Sequence, residues 1–257
     1  MTYLYCLVRS ARKPVIKCVK NGLPSARAVR ALDAGSGLWL IVSDVDASEY
    51  GEAAIAKGLK NLDWVSRRAI GHEAVVEQFL SKSALLPMQM FTIFKSDERA
   101  ISHVAGDRRR IERILRRVAG HVEWGVRLTW NEEAARDAVE QAHARRSVGT
   151  QRSGSAYLTR KRDLLDVSRT QLAKARANAT TFHRSLRKQA RDAVRRTTTE
   201  QAAPGSRLLL DAAYLVPSTR AATFRAAVRQ HARKLAPSGI AAALTGPWPP
   251  YNFTSST

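Results

Sequence analysis

Residues 122–130 read VEWGVRLTW, and Val122, Trp124, Val126, Leu128 and Trp130 fall on one side of an extended chain. Strict alternation of this kind predicts a half-buried β-strand. Upstream, residues 97–118 carry Ile101, Val104, Ile111, Ile114, Leu115 and Val118 at helical spacing, with Asp97 as N-cap candidate and Gly120 past the end. Before that helix, LLPMQMFTIF at 85–94 reads as a strand with an irregular start at Pro87. Downstream, 208–216 reads as a strand, 219–235 as a helix and 240–244 as a last strand.

The string is therefore β(85–94) α(97–118) β(122–130), a helical insertion over about 131–203, then β(208–216) α(219–235) β(240–244). Two βαβ halves in series predict an α+β fold of the ferredoxin-like, βαββαβ kind, which the right-handed crossover rule makes economical. Ahead of it, 3–8 and 37–43 (GLWLIVS) are strands by composition, 28–32 is a weaker candidate and 15–19 a short partner. Ser48 is the expected cap of a helix with Glu49 and Glu52 in its first turn. A second helix over 62–82 places Val65, Ala69, His72, Val75, Val76, Phe79 and Leu80 on one face. The expected division is a small α/β domain at 1–82 and a ferredoxin-like domain at 83–257 that ends in a Pro/aromatic tail, 245–257.

The chain has 257 residues, with 43 Lys+Arg against 22 Asp+Glu, a formal net charge of +21. Its apolar content of 44% is ordinary for a globular protein, so the charge is the anomaly and points to acidic or polyanionic partners. The apolar run at 3–8 is cut short by Arg9, which leaves no secretory h-region, and 83–94 is too short to span a bilayer. The expectation is a soluble cytoplasmic protein. Cys6 and Cys18 make neither a disulfide framework nor a zinc pattern.

Residues 141–200 hold 15 Lys/Arg against four acidic residues, a net of +11 and more than half of the excess. Leu158, Leu165, Leu172, Ala179, Leu186 and Ala193 recur at sevens, widened by Ala175 and Phe182, in a helix expected to start near Ser155. That narrow seam leaves most of the circumference basic. Two readings are open: a binding surface centred on Arg184, Arg187, Arg191 and Arg195, or a merely solvated arginine-rich face. Nucleic acid is an alternative partner, but only Tyr157 and Phe182 supply aromatics there, too few for a stacking platform.

No catalytic, cofactor-binding or metal-ligating set emerges. His72-Glu73 lacks the second histidine of HExxH, Gly35-Ser36-Gly37 is a turn before a strand, and Cys6 lies in a strand expected to be buried. Arg160-Lys161-Arg162 is an unspecific basic tripeptide. No nucleophile, base and oxyanion donor come together, so an enzyme is not expected. The stretch LTGPWPPYNF at 244–253 stands apart: three prolines forbid helix and keep the chain stiff and extended. Its Trp248, Tyr251 and Phe253 either pack back on the fold, tying down the tail, or form a hook for a partner.

At these residues the chain resembles the gas vesicle GvpF/GvpL proteins. The blocks that carry the likeness are YLYCLV (3–8), GHEAVVEQFLSKSALLPMQMFTIF (71–94), VEWGVRL (122–128, with Trp124), GSAYLTRKR (154–162, with Tyr157, Arg160, Lys161 and Arg162), LLLDAAYLVP (208–217, ending at Pro217) and LTGPWPPYNF (244–253, with Gly246, Pro247, Trp248, Pro249, Pro250 and Tyr251). The resemblance implies a two-domain protein with a modified ferredoxin-like second domain. It also implies a non-enzymatic, cytoplasmic accessory protein, a minor component associated with the vesicle shell. Such a protein would bind the small hydrophobic shell protein GvpA and other accessory proteins in a chaperone-like role, with no cofactor. The chain departs from the family where Cys6 replaces a common glycine, and where 87–92 reads PMQMFT in place of a PMRFGT-like pattern.

Overall fold

The computed structural model describes residues 1–17, 22–80, 84–135, 137, 156–197 and 205–254; over 156–168 it describes the helical backbone alone. The chain divides into two compact units, Met1–Glu123 with Pro247–Thr257, and Trp124–Gly246.

The first unit is built on β1 (Thr2–Arg9), whose residues Tyr3 to Val8 are all 1% exposed or less. A strand apolar on both faces needs neighbours on both edges. β3 (Leu38–Asp44) takes one edge, and beyond it lies β2 (Arg30–Asp33). β4 (Ala84–Pro87) and β5 (Ile93–Phe94) take the other, so the order is β2-β3-β1-β4 with β5 also on β1. All four pairings are antiparallel, for example Tyr3 opposite Ser43, Leu7 opposite Leu86 and Tyr3 opposite Ile93. Three helices follow β3: α1 (Ala47–Tyr50), α2 (Glu52–Gly58) and α3 (Leu62–Val76). The cap of α1 is Asp46, whose carboxylate accepts from Ser48 N, two residues ahead of the expected cap.

The segment 85–94 departs from expectation. It does not open the sheet that contains Val122–Trp130; it breaks at Pro87, turns through Phe91 at φ 67°, and both pieces pair with β1. An apolar run carries no label for its partner, and β1 had an open edge to fill. The helix expected at 97–118 is likewise two: α4 (Asp97–Gly106), capped by the Ser96 hydroxyl, and α5 (Arg108–Val118). Gly120 ends the pair at φ 69°. Asp97 stands one residue inside the cap and instead holds Arg30 and Thr2.

The second unit is built on most of β6 (His121–Asn131), α6 (Ala156–Arg187), β7 (Asp192–Arg195), β8 (Ser206–Pro217), α7 (Ala221–Leu235) and most of β9 (Ile240–Trp248), in the sheet order β7-β8-β6-β9. Its first βαβ half is thus β6-α6-β7, assembled partly from residues expected to be an insertion. A strand, β7, replaces the end of the expected helical stretch. Val194 pairs with Ala213 and Asp192 with Leu215, and ladder bonds to β8 override helical preference there. The seam at sevens consequently ends at Leu186, and Ala193 lies on the strand. Ala175, Ala179, Phe182 and Leu186 are buried on α6, which packs on α7 and β8, where Phe224, Val228 and the 212–216 run are buried as well. β9 also runs four residues further than expected, through Pro247.

Candidate partner-binding site

Two regions hold the residues singled out in the sequence, and each grows from its local sequence. In the second unit, α6 ends with Arg184 and Arg187 in its last turn, where cations complement the helix dipole. Arg191 follows in the turn, its N–H donating to Leu215 O at 2.8 Å, and Arg195 closes β7. All four side chains are exposed. Arg187 and Arg195 converge on His183, whose pKa is held down first by burial and then by these two cations. Its Nδ1 lies 2.6 Å from Tyr214 Oη. The four candidates therefore run from the last turn of α6 through the following turn to the end of β7, and Arg191 and Arg195 are not helical. α7 adds Arg225, Arg229, Arg233 and Lys234, all exposed, and has no carboxylate.

Other charges of this unit are internally matched. Asp211 on β8 is 5% exposed and accepts from Arg196 Nε at 2.8 Å and Arg127 at 3.2 Å. Gly125 makes room for that pairing, since a Cβ there would lie 2.5 Å from Thr245 Oγ1 and 3.3 Å from the Arg196 guanidinium.

In the first unit, the C-terminal tail docks. Tyr251 Oη donates to Glu73 Oε2 at 2.6 Å, and Asn252 gives its backbone N–H and its side-chain amide to the two Glu123 oxygens at 2.9 and 2.6 Å. Phe253 is 1% exposed and Pro249 and Pro250 are buried, whereas Trp248 is 38% exposed. Burial raises the Glu73 pKa, opposed by the Tyr251 hydrogen bond. Sequence reading missed Glu73 and Glu123 as anchors; the available signal was a carboxylate inside an otherwise apolar stretch. A shallow apolar groove of about 460 Å³ lies in the same unit between α2 and β5, lined by Tyr50, Ile55, Leu59, Phe91 and Ile93.

Of the remaining candidates, His72 is a core residue, 4% exposed, with Nδ1 2.9 Å from Tyr3 Oη. Cys6 is fully buried and burial pushes its thiol pKa well up, so it is no nucleophile at neutral pH. Cys18 lies outside the described residues, as do the side chains of Tyr157, Arg160, Lys161 and Arg162. Trp124 is buried on β6 under the Arg225 guanidinium, 5.8 Å from its ring centroid, and Pro217 ends β8 half-buried. Gly246, at φ 115°, takes a backbone conformation that favours glycine just ahead of Pro247. Among the described residues, no group of His, Cys, Asp and Glu could hold a metal, and no helix is long and apolar enough to cross a membrane.

The sequence blocks are spread along the chain, and the family model that matches it covers nearly all of it: gas vesicle synthesis protein GvpL/GvpF, over residues 1–255. The chain belongs to the GvpL/GvpF family. A relative within it is gas vesicle protein L of Streptomyces sp. (strain CB03234), 30% identical over 227 residues, covering 84% of this chain and 79% of the relative. The GvpF crystal structure from Anabaena sp. PCC7120 superposes with a TM-score of 0.68 at 16% identity, covering 100% of this chain and 96% of that one. GvpF from Microcystis aeruginosa gives 0.65 at 16% identity, with 99% of each chain covered. At that identity the likeness is one of fold: this GvpL/GvpF chain has the mixed helix-and-sheet architecture of both.

Proposed function

We propose that this GvpL/GvpF chain is a cytoplasmic accessory and minor structural protein of gas vesicle assembly. In this reading it binds the hydrophobic shell subunit GvpA and other accessory proteins, chaperone-like, and limits their aggregation. The observation that carries the reading is the family match over residues 1–255. A subunit destined for a gas-filled shell exposes apolar surface before assembly, and such surface aggregates in water. The groove beside Leu59, which is itself 56% exposed, supports an adhesive role, and the Arg184, Arg187, Arg191 and Arg195 edge supports long-range attraction to acidic partners. We also read the second unit as a modified ferredoxin-like module, on the strength of its βαββαβ element order and its strand order β7-β8-β6-β9.

The test is a pull-down of the shell subunit with Arg184, Arg187, Arg191 and Arg195 all changed to Glu. Binding at low salt should fall about ten-fold or more, since rim charges act mainly through steering. Unchanged capture at low salt removes the electrostatic part. Nucleic acid as the partner is disfavoured because Phe182 and Phe224, the aromatics within the described side chains of α6 and α7, are buried. A gel shift repeated at rising salt separates the two partners, because phosphate binding collapses steeply with salt.

A further inference from the structure

The strands that end the two sheets are not equally guarded. β2 has four residues and carries Arg30 and Asp33; β4 has four and ends at Pro87; β5 has two. β7 has four residues and bears Asp192 and Arg195 at its ends. Short length, charge and proline are the devices that keep an edge from recruiting another chain. β9 is the exception. It has nine residues, Ile240–Trp248, none of them charged, and its proline stands only at the penultimate position. Among the described residues it pairs with β6 alone.

That edge is held firmly from its inner side. Asn131 N donates to Gly239 O at 2.9 Å, and Gly239 turns into the strand at φ 71°, where a Cβ would lie 2.7 Å from Asn131 O. Ile240 is 2% exposed and anchors the start. Ala241, Ala243 and Thr245 are exposed and small, so an incoming backbone meets no bulk. The chain that leads into and through it carries charge of one sign. From 212 to 257 there is no Asp or Glu, while Arg220, Arg225, Arg229, Arg233 and Lys234 precede β9, the last two in the final turn of α7. Residues 124–246 hold 23 Lys/Arg against nine Asp/Glu, a net of +14. A second copy would set like charge against like charge.

We infer that the free edge of β9, over Ile240 to Gly246, docks an extended segment of a partner protein, an uncharged stretch flanked by Asp or Glu, which adds as a further strand of the sheet. Main-chain hydrogen bonds supply the affinity in such additions and the flanking charges select the partner. The inference does not depend on the shell subunit being that partner.

The test uses the full chain and a fluorescent, end-blocked peptide, DDVTVTVTDD, read by anisotropy. Two companion peptides carry N-methyl groups on alternate residues, one on each edge of the strand, and a third replaces the acidic ends with Lys. One methylated peptide should bind about ten-fold more weakly and the other within about two-fold, because only one peptide edge faces β9. The Lys-ended peptide should also lose about ten-fold, as should the acidic peptide with Ala241→Asp or Ala243→Asp, variants at exposed positions whose fold is checked by circular dichroism. Equal binding of both methylated peptides would mean charge attraction alone and overturns the inference, as does no binding at all. Insensitivity to both Asp variants places the peptide elsewhere and also overturns it. A chain that sediments as a dimer until Ala243→Asp dissociates it would make a second copy the occupant. The peptide contains no gas vesicle sequence, so its failure leaves the shell-subunit reading standing.

Discussion

His72 sits beside Tyr3 and Tyr5, with ring centroids 5.7 and 5.6 Å away, and burial holds its pKa at about 4 against the backbone of Met88. Tyr3 Oη accepts from Phe91 N at 3.1 Å, which leaves its own proton for His72 Nδ1. A histidine with a folded pKa below its unfolded one contributes stability above about pH 6.5 and loses it as pH falls toward 4. The full loss is up to about 3 kcal/mol. Urea titrations at pH 7 and 4.5 should show the decrease, and His72→Gln should shrink it; an equal decrease in the variant assigns it to other groups. Glu73, whose pKa is raised by burial, works in the opposite sense, adding stability at low pH that is lost as pH rises. That His72 belonged to the core was legible from its place on the apolar face of α3. Its partners were not, since Tyr3 and Tyr5 are 69 and 67 residues away in sequence and only folding brings them together.

At the scale of elements, close approach decides more than propensity. α3 passes the loop at Gly22 so tightly that a Cβ on Gly71 would lie 2.7 Å from Gly22 O. The obstacle is backbone, so Gly71→Ala should destabilise by about 1–3 kcal/mol despite the better helical propensity of alanine. A thermal melt with an unchanged or higher Tm contradicts this. In the second unit Asp211 gathers Arg127 and Arg196 from β6 and from the residue following β7. Both arginines are about one-third exposed and recover solvent when released, so Asp211→Asn should cost about 1–3 kcal/mol. Chemical denaturation measures it, and Asp211→Asn as stable as the parent would make the cluster a surface ornament. The helices and most strands were readable from apolar spacing. β7 was not: four residues of Asp-Ala-Val-Arg inside a basic, alanine-rich stretch carry too short a pattern to announce a strand.

For the whole molecule, the tail is what joins distant sequence: Tyr251 reaches Glu73 and Asn252 reaches Glu123, across 178 and 129 residues. Releasing it with Tyr251→Phe and Asn252→Ala leaves the buried Glu123 and half-buried Glu73 carboxylates short of donors, and should lower stability by about 2–4 kcal/mol. Limited proteolysis should then cut the tail earlier; cleavage at the parent rate contradicts the anchor. The amino-acid sequence by itself determined the family, because six blocks in a fixed order need no geometry to be recognised. It also determined the core faces of β6, α3 and α5 and the excess of positive charge, all of which are local or additive properties. Only the tertiary structure decided which sheet received 84–94, that the basic stretch supplies a helix and an edge strand, and that β9, among the described residues, pairs along one edge alone. Those are choices among partners, set by which edges remain unpaired and which apolar faces remain uncovered when the chain closes, and no local pattern encodes them.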